Sequence, residues 1–405
     1  MPRLTLSLIA MLLLCPLAGA KEISVTPNTI ANAASQLNAG DTLLLQAGRY
    51  TAPIKLWKRK GTAAAPIVIR AAKGATVVLD GSDALDGLTW TKHKANIYKA
   101  TLDADISQLF CDGKMMTAAR WPNAHMTDEH FFNKNAAMRV HKVNVAPIGT
   151  IVDADASAAR KHGSYEPLPE GRTNTQSLAA SGIDATGCVA VMNIGSWMTF
   201  ASRVTAHKPG ESKFTYDATF ADADANLRRI ANELHPGKRF AKMNTNYWHD
   251  HYYFLEGLPC LDAPREYWYD HKTKTLYFCS PDGKSPARHA LRGKRRDYML
   301  SINQSLRVKV SGLDFIAAGF AINDSLHCTF SDAALYAPTH NKFQLGKLGN
   351  FNLSRVWNRR GGKSPATTGN VIRNCRFSFL DGEALYIHGR DTLVENCDFR
   401  NVNYS

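Results

Sequence analysis

Acidic residues are in short supply in this sequence. Its 35 Asp and Glu face 49 Lys and Arg, leaving a formal net charge of +14. Also missing is any Cys-x-x-Cys pair among the 8 cysteines, which excludes a zinc ribbon and a dithiol redox motif. After the first 20 residues no apolar run approaches the roughly 20 needed to span a bilayer, so no transmembrane segment is expected. The motifs of nucleic-acid binders are absent, and nucleic acid is not an expected partner. Helix-pair repeats are excluded too, because the one internal repeat is too short for them.

The residues present begin with an address. Arg3 supplies a positive end, Leu4 to Leu14 an apolar core, and Ala18-Gly19-Ala20 a small-residue cleavage site. This predicts a signal peptide over 1–20, cut after Ala20, and a periplasmic or secreted mature chain. Lipidation at Cys15 is disfavoured by Leu14, where a small residue is needed. Export permits disulfides, and Cys260 with Cys279 is the candidate pair. In an exported chain the basic excess favours an anionic polysaccharide partner, since it concentrates counter-ions; its plain alternative is solubility.

The most informative pattern lies near the C-terminus. Val371-Ile372-Arg373-Asn374-Cys375-Arg376-Phe377 recurs 22 residues later as Leu393-Val394-Glu395-Asn396-Cys397-Asp398-Phe399. Looser copies occur at Val308 to Phe315 and His327 to Phe330. A short repeat rich in β-branched residues and turn residues reads as stacked strands, a parallel β-helix in which no unit buries its apolar face alone. Stacking then places Cys375 over Cys397 and Phe377 over Phe399 as a core ladder, with Asn374 over Asn396 at a corner. It also pairs Arg373 with Glu395 and Arg376 with Asp398, which assigns those carboxylates to structure.

The predicted fold is therefore all-β, a β-helix solenoid with an inserted β-rich subdomain. The signal peptide is followed over 21–103 by a cap and the first coils, the cap being a short amphipathic helix from Ile30 to Leu37. Residues 104–300 lose the repeat and become dense in aromatics, with Asp270 to Thr275 reading as a hairpin turn. Coils resume over 301–405 and carry the predicted groove. Ser405 falls half a coil past Phe399 with no polar terminal repeat, so the chain is expected to be truncated at its C-terminus and frayed or poorly soluble there. A monomer is expected.

Gly40-Asp41-Thr42-Leu43-Leu44-Leu45, Gly48-Arg49-Tyr50 and Gly61 to Arg70 resemble the opening coils of the pectin-lyase-like right-handed parallel β-helix superfamily, nearest its chondroitinase-B-like and alginate lyases. Leu109 to Lys114, Ala119-Arg120-Trp121-Pro122-Asn123 and Leu261 to Asp270 resemble exported β-helix proteins with an inserted β-domain, some of them glycoside hydrolases. The resemblance implies a right-handed coil and a polysaccharide-active protein. For the lyases it implies a Lys base, an Arg acid and often calcium held by acidic residues. No motif here fixes that set; Lys342 and Arg359-Arg360 are its stand-ins, and no calcium site is identified.

From the residues themselves, the leading candidate is Leu380-Asp381-Gly382-Glu383-Ala384-Leu385-Tyr386-Ile387-His388-Gly389-Arg390. Glycosidic hydrolysis needs one carboxyl to protonate the leaving oxygen and another to act as nucleophile or base. Asp381 and Glu383 flank a glycine at a corner and are the predicted catalytic pair, both solvent-facing. Leu385 and Ile387 are expected inward, with Ala384, Tyr386 and His388 outward. His388, Arg390 and Tyr386 are predicted to hold substrate, as are His340, Lys342, Trp357 and Arg360 on a long excursion. The competing reading of each is an ordinary solvated turn or loop. Asp222-x-Asp224-x-Asn226 with Glu233 has EF-hand-like spacing but carries Leu227 where the turn needs Gly. His249-Asp250-His251 lacks a third ligand. No metal or cofactor is therefore predicted. The expected activity is glycoside hydrolysis of an acidic polysaccharide, with β-elimination by a lyase and non-catalytic glycan binding as the alternatives.

Overall fold

The computed structural model describes residues 19–124, 138–144, 148–153, 177–193, 199–218, 252–339, 354–358 and 368–402. The described chain is all-β, and none of its helices is long and apolar enough to cross a membrane.

Three parallel ribbons organise it. The first stacks Glu22–Val25, Thr42–Leu45, Ile67–Ala71 and Val308–Ser311, then the leading halves of Thr329–Tyr336 and Val371–Leu380, and finally Leu393–Glu395. The second stacks Gly48–Tyr50, Val77–Asp80 and Asp314–Ile316, then the trailing halves of the same two long strands, and Asp398–Val402. The third stacks Ile54–Trp57, Tyr298–Asn303, Gly319–Asn323, Arg355–Trp357 and Tyr386–His388.

Because strand side chains alternate, register alone builds the core. Leu43, Ile69, Val310, Phe330 and Ile372 form one inward column, and Tyr50, Leu79, Phe315, Leu335 and Phe377 a second. Leu56, Ile302, Ile322 and Val356 form the third. All of them are buried in one cluster. Phe320 stacks on Phe330 at 4.1 Å between ring centroids, tying the third ribbon to the first column.

The predicted stacking of the repeat is observed. Arg373 pairs with Glu395, Arg376 with Asp398 and Phe377 with Phe399, whose rings lie 5.0 Å apart. The Cys375 thiol, beside Cys397, is pushed up to about 12, chiefly by burial. At the corner the Asn396 amide donates to Asn374 at 2.8 Å, and Asn374 donates to Asp332 at 2.8 Å. Asn396, Asn374 and Asp332 all take left-handed backbone, φ 51, 54 and 55, and Gly312 begins the same column at φ 70. Only Gly, Asn and Asp enter that region at low cost, which is why these types recur there.

Two expectations are corrected. The Ile30 to Leu37 cap is a single 3-10 turn, Ala33–Gln36, although it buries Ile30, Ala34 and Leu37 as an amphipathic helix would. Cys260 and Cys279 do not pair, and every described cysteine is a free thiol. The partner of Cys260 is the Cys188 thiol.

Between Val77–Asp80 and Tyr298–Asn303 the chain leaves the ribbons, and among the described residues its strands pair only with one another. Ser82–Ala84, Thr91–Lys94 and Ile97–Thr101 belong to this second group, so the departure falls at Gly81. A Cβ on Gly81 would meet the Ala317 carbonyl at 2.5 Å, so only glycine fits that exit. Glu266–Asp270 and Thr275–Cys279 form the expected hairpin. Tyr252–Glu256 pairs on one edge with Met138–Asn144 and on the other with Val189–Asn193. With Ile148–Asp153, Lys213–Asp217 and Thr199–His207 these strands close a ring around Phe214, Tyr216 and Tyr253.

Phe377→Ala should destabilise the protein by about 3–5 kcal/mol in urea unfolding followed by circular dichroism, because it empties a buried site. Glu395→Gln should cost under about 1 kcal/mol, since Arg373 and Glu395 are 44% and 45% exposed.

Candidate active site

The second ribbon ends each pass at one corner, where Gly81, Ala317-Ala318, Ala337-Pro338 and Asp381-Gly382 follow its strands. The second group of sheets packs against this corner. Phe110, Met115 and Ala124 meet Ala317, Ala337, Tyr336 and Phe379 in one apolar cluster, and the Met115 N–H donates to the Tyr336 hydroxyl at 3.0 Å.

Buried charge is concentrated beside that seam. Asp80, fully buried, accepts from the Ser82 N–H and hydroxyl and pairs with Arg49 and with Arg292 at 3.0 Å. Lys294 is 1% exposed, and its ammonium donates to the carbonyls of Ala317, Pro338 (2.9 Å) and Arg296 (3.2 Å). Burial pulls it down to about 8, against the charges of Asp297, Asp381 and Asp80. With three donors engaged by carbonyls, Lys294 serves as a tie between the two sets of sheets and is badly placed to act as a base.

Glu256 is the group best suited to proton transfer. It lies opposite Arg120 across antiparallel strands, so both side chains share one face. Arg120 is buried, with its guanidinium 4.0 Å from the centre of the Phe254 ring and its Nε donating to the Pro122 carbonyl at 3.1 Å. Burial raises the Glu256 carboxyl to about 7; Arg120 opposes the shift and the charge of Asp381 adds to it. Asp381, from the end of Val371–Leu380, is thus electrostatically coupled to a carboxyl that lies 125 positions earlier in the chain. Beside them Glu266, fully buried, accepts N–H bonds from Ala263 (3.2 Å), Asp262 and Arg120 (3.4 Å each). Its carboxyl rises to about 8, burial outweighing those bonds.

The predicted residues fall into three groups. Asp381 is buried and Glu383 exposed, so they do not share a solvent-facing corner. The Gly382 bend turns one carboxyl toward the seam and leaves the other in water. Tyr386, His388 and Arg390 are exposed as expected, but Ala384 is buried. Ile387 keeps its inward register over Val356 yet is 41% exposed, because Tyr386–His388 is the edge strand of its sheet. His340, Lys342 and Arg360 lie outside the described residues, as do Asp222 to Glu233 and His249 to His251. Trp357 sits on the third ribbon, 6.5 Å from Tyr386 in an edge-to-face contact. Arg355 covers both Trp357 (4.8 Å) and Tyr298 (5.1 Å), and its Nε donates to Asn323 at 3.1 Å. Asn323 in turn donates to Asn303 at 2.9 Å. The outer face of the third ribbon therefore offers aromatic rings held beside amide and guanidinium donors, the surface a sugar ring stacks on.

Sequence reasoning missed Glu256, Glu266 and Lys294 as candidates. A signal existed in Tyr252-Tyr253-Phe254-Leu255-Glu256-Gly257, where one acid ends an otherwise apolar strand.

Glu256 and Glu266 hold protons in the folded state at pH values where unfolded carboxyls, near 4.5, have lost them. The folded chain then binds more protons than the unfolded one, and stability must fall as pH rises from about 4.5 through 7 to 8. Lys294 has the opposite sign, but only above about 8. Urea midpoints should therefore be lower at about pH 8 than at about pH 5.5, and Glu266→Gln should flatten that slope.

No protein-family model matches this chain, and no curated protein matches it. Among solved structures it is similar to one described as a glycoside hydrolase, at 15% identity and a TM-score of 0.60, covering 95% of this chain and 74% of that one. It also aligns with a structure described as the complex of XylC with xylose, at 11% identity and a TM-score of 0.38, covering 95% of this chain and 54% of that one. The first likeness is one of fold.

Proposed function

We propose that this protein is an exported glycoside hydrolase acting on an acidic polysaccharide. In this reading the three ribbons are coils of a right-handed parallel β-helix of the pectin-lyase-like kind, and residues 82–297 are a subdomain inserted at one corner. Glu256 is the general acid and Asp381 the nucleophile or base. The observation that carries the proposal is the Glu256 carboxyl raised to about 7 with the Asp381 charge beside it. A carboxyl protonated near neutral pH with a second carboxyl close by is what glycosidic cleavage requires. Arg120 keeps the acid from rising further and offers a cation to the charge left on it after proton transfer. The third-ribbon face bearing Trp357, Tyr386 and His388 binds the glycan, with the net charge of +14 favouring an anionic chain.

A panel of acidic and neutral glycans should yield new reducing ends, without the near-ultraviolet absorption of an unsaturated uronate. Glu256→Gln and Asp381→Asn should each lower turnover by roughly 10²-fold or more. In the wild type, kcat/KM should decline as pH rises through about 7, because the acid must be protonated. Trp357→Ala should raise KM more than it lowers kcat. Wild-type rates in both carboxyl variants, or an unsaturated product, would overturn the hydrolase reading and leave elimination in its place.

A further inference from the structure

Away from the seam, one cluster mixes three ligand types. Cys111 ends Leu109–Cys111, Asp112 begins the turn that follows, and His289 comes from the segment leading into Leu291–Lys294. The Cys111 thiol, the Asp112 carboxylate and a His289 ring nitrogen all lie within 4.8 Å of one another. Cys111 Sγ is 3.6 Å from Asp112 Oδ2, and that oxygen is 2.8 Å from His289 Nδ1. On its far side the ring presents Nε2 to Asp282 Oδ1 at 3.5 Å. Asp112 is pinned by a left-handed backbone, φ 51, and by the Ala290 N–H at 2.9 Å.

A cysteine protease-like reading fails here. Burial and the Asp112 charge push the Cys111 thiol up to about 12, so it stays protonated near neutral pH. Both ring nitrogens of His289 face carboxylates, and neither activates the sulfur.

We propose that Cys111, Asp112 and His289 bind a zinc ion, with the fourth position open on the exposed Asp112 side. The mixed S, N and O set suits a borderline-soft cation. Bonds of about 2.3 Å to sulfur and about 2.0 Å to nitrogen and oxygen put tetrahedral ligand atoms roughly 3.3–3.6 Å apart. The sulfur–oxygen separation already meets this, and the oxygen–nitrogen one must open by roughly half an ångström. With Nδ1 on the metal, the Nε2–H of the imidazole donates to Asp282, the outer carboxylate that such histidines need to fix their orientation. Binding exchanges the Cys111 thiol proton, released to solvent, for the metal–sulfur bond. Because Cys111 pairs with Leu291, the ion fastens the Leu109–Met115 hairpin to the strand that carries Lys294.

The test uses the full chain, stripped of metal and titrated with cobalt(II), then zinc(II). One equivalent of cobalt should produce a thiolate-to-metal charge-transfer band, and zinc should abolish the band and raise the melting temperature. Cys111→Ser should remove the band, and His289→Gln should weaken cobalt binding by about 10-fold or more. A folded wild-type chain that shows no band at one equivalent overturns the site, whatever the variants do. A band undiminished in both variants, pointing to another of the free cysteines, also overturns it. Neither readout depends on glycan cleavage, so failure here leaves the hydrolase reading intact.

Discussion

Main-chain hydrogen bonding between parallel strands in strict register is the constraint from which the other features follow. A strand that repeats its partner's alternation sets aliphatic on aliphatic and amide on amide at a spacing of about 4.8 Å. Apolar columns result on the inside, where Leu43, Ile69, Val310, Phe330 and Ile372 fill space without a helix to cover them. On the outside the same rule lines up charges and amides, and the corner between the first two ribbons survives because each pass supplies a residue that tolerates left-handed backbone. A slip of one residue would reverse all these columns together.

The seam between the ribbons and the other sheets follows different physics. One apolar cluster, with Phe110 and Met115 against Ala317 and Ala337, crosses it. Asp80, Arg292, Lys294, Arg120, Glu256 and Asp381 meet there with most of their charge withdrawn from water. Charges so placed are costly unless paired, protonated or hydrogen-bonded. The molecule uses each of these solutions. Asp80 is paired, Lys294 is wrapped by carbonyls, and the Glu256 and Glu266 carboxyls are held protonated to higher pH. That last solution is what the proposed mechanism draws on, because a carboxyl that releases its proton near neutrality is a usable acid.

The repeat was legible in the sequence because its information is local. Seven residues from Val371 and seven from Leu393 announce strand, corner and inward face, and Arg373 over Glu395 follows from them. The hairpin at Asp270 to Thr275 was legible for the same reason. The proposed site is legible only in part. The sequence pairs Asp381 with Glu383 across one glycine, whereas the carboxyl that feels the Asp381 charge is Glu256. Nothing local in the sequence indicates that the strand Tyr252–Glu256 returns to the end of Val371–Leu380. The cap failed at a finer scale, since four residues from Ala33 carry an amphipathic pattern but too little length to sustain α-helical bonds.

The departure at Gly81 also bears on the order in which the chain can fold. Val77–Asp80 pairs with Asp314–Ile316, and Ile54–Trp57 with Tyr298–Asn303, across more than two hundred intervening positions. Those pairings carry a large loop-closure entropy until the intervening sheets have condensed and drawn their two ends together. The passes after Tyr298 are joined by much shorter connections, so they can zip up early and serve as the template. The opening strands would then dock last, onto an edge already formed, and the strand carrying Lys294 would be the clasp that brings that edge within their reach.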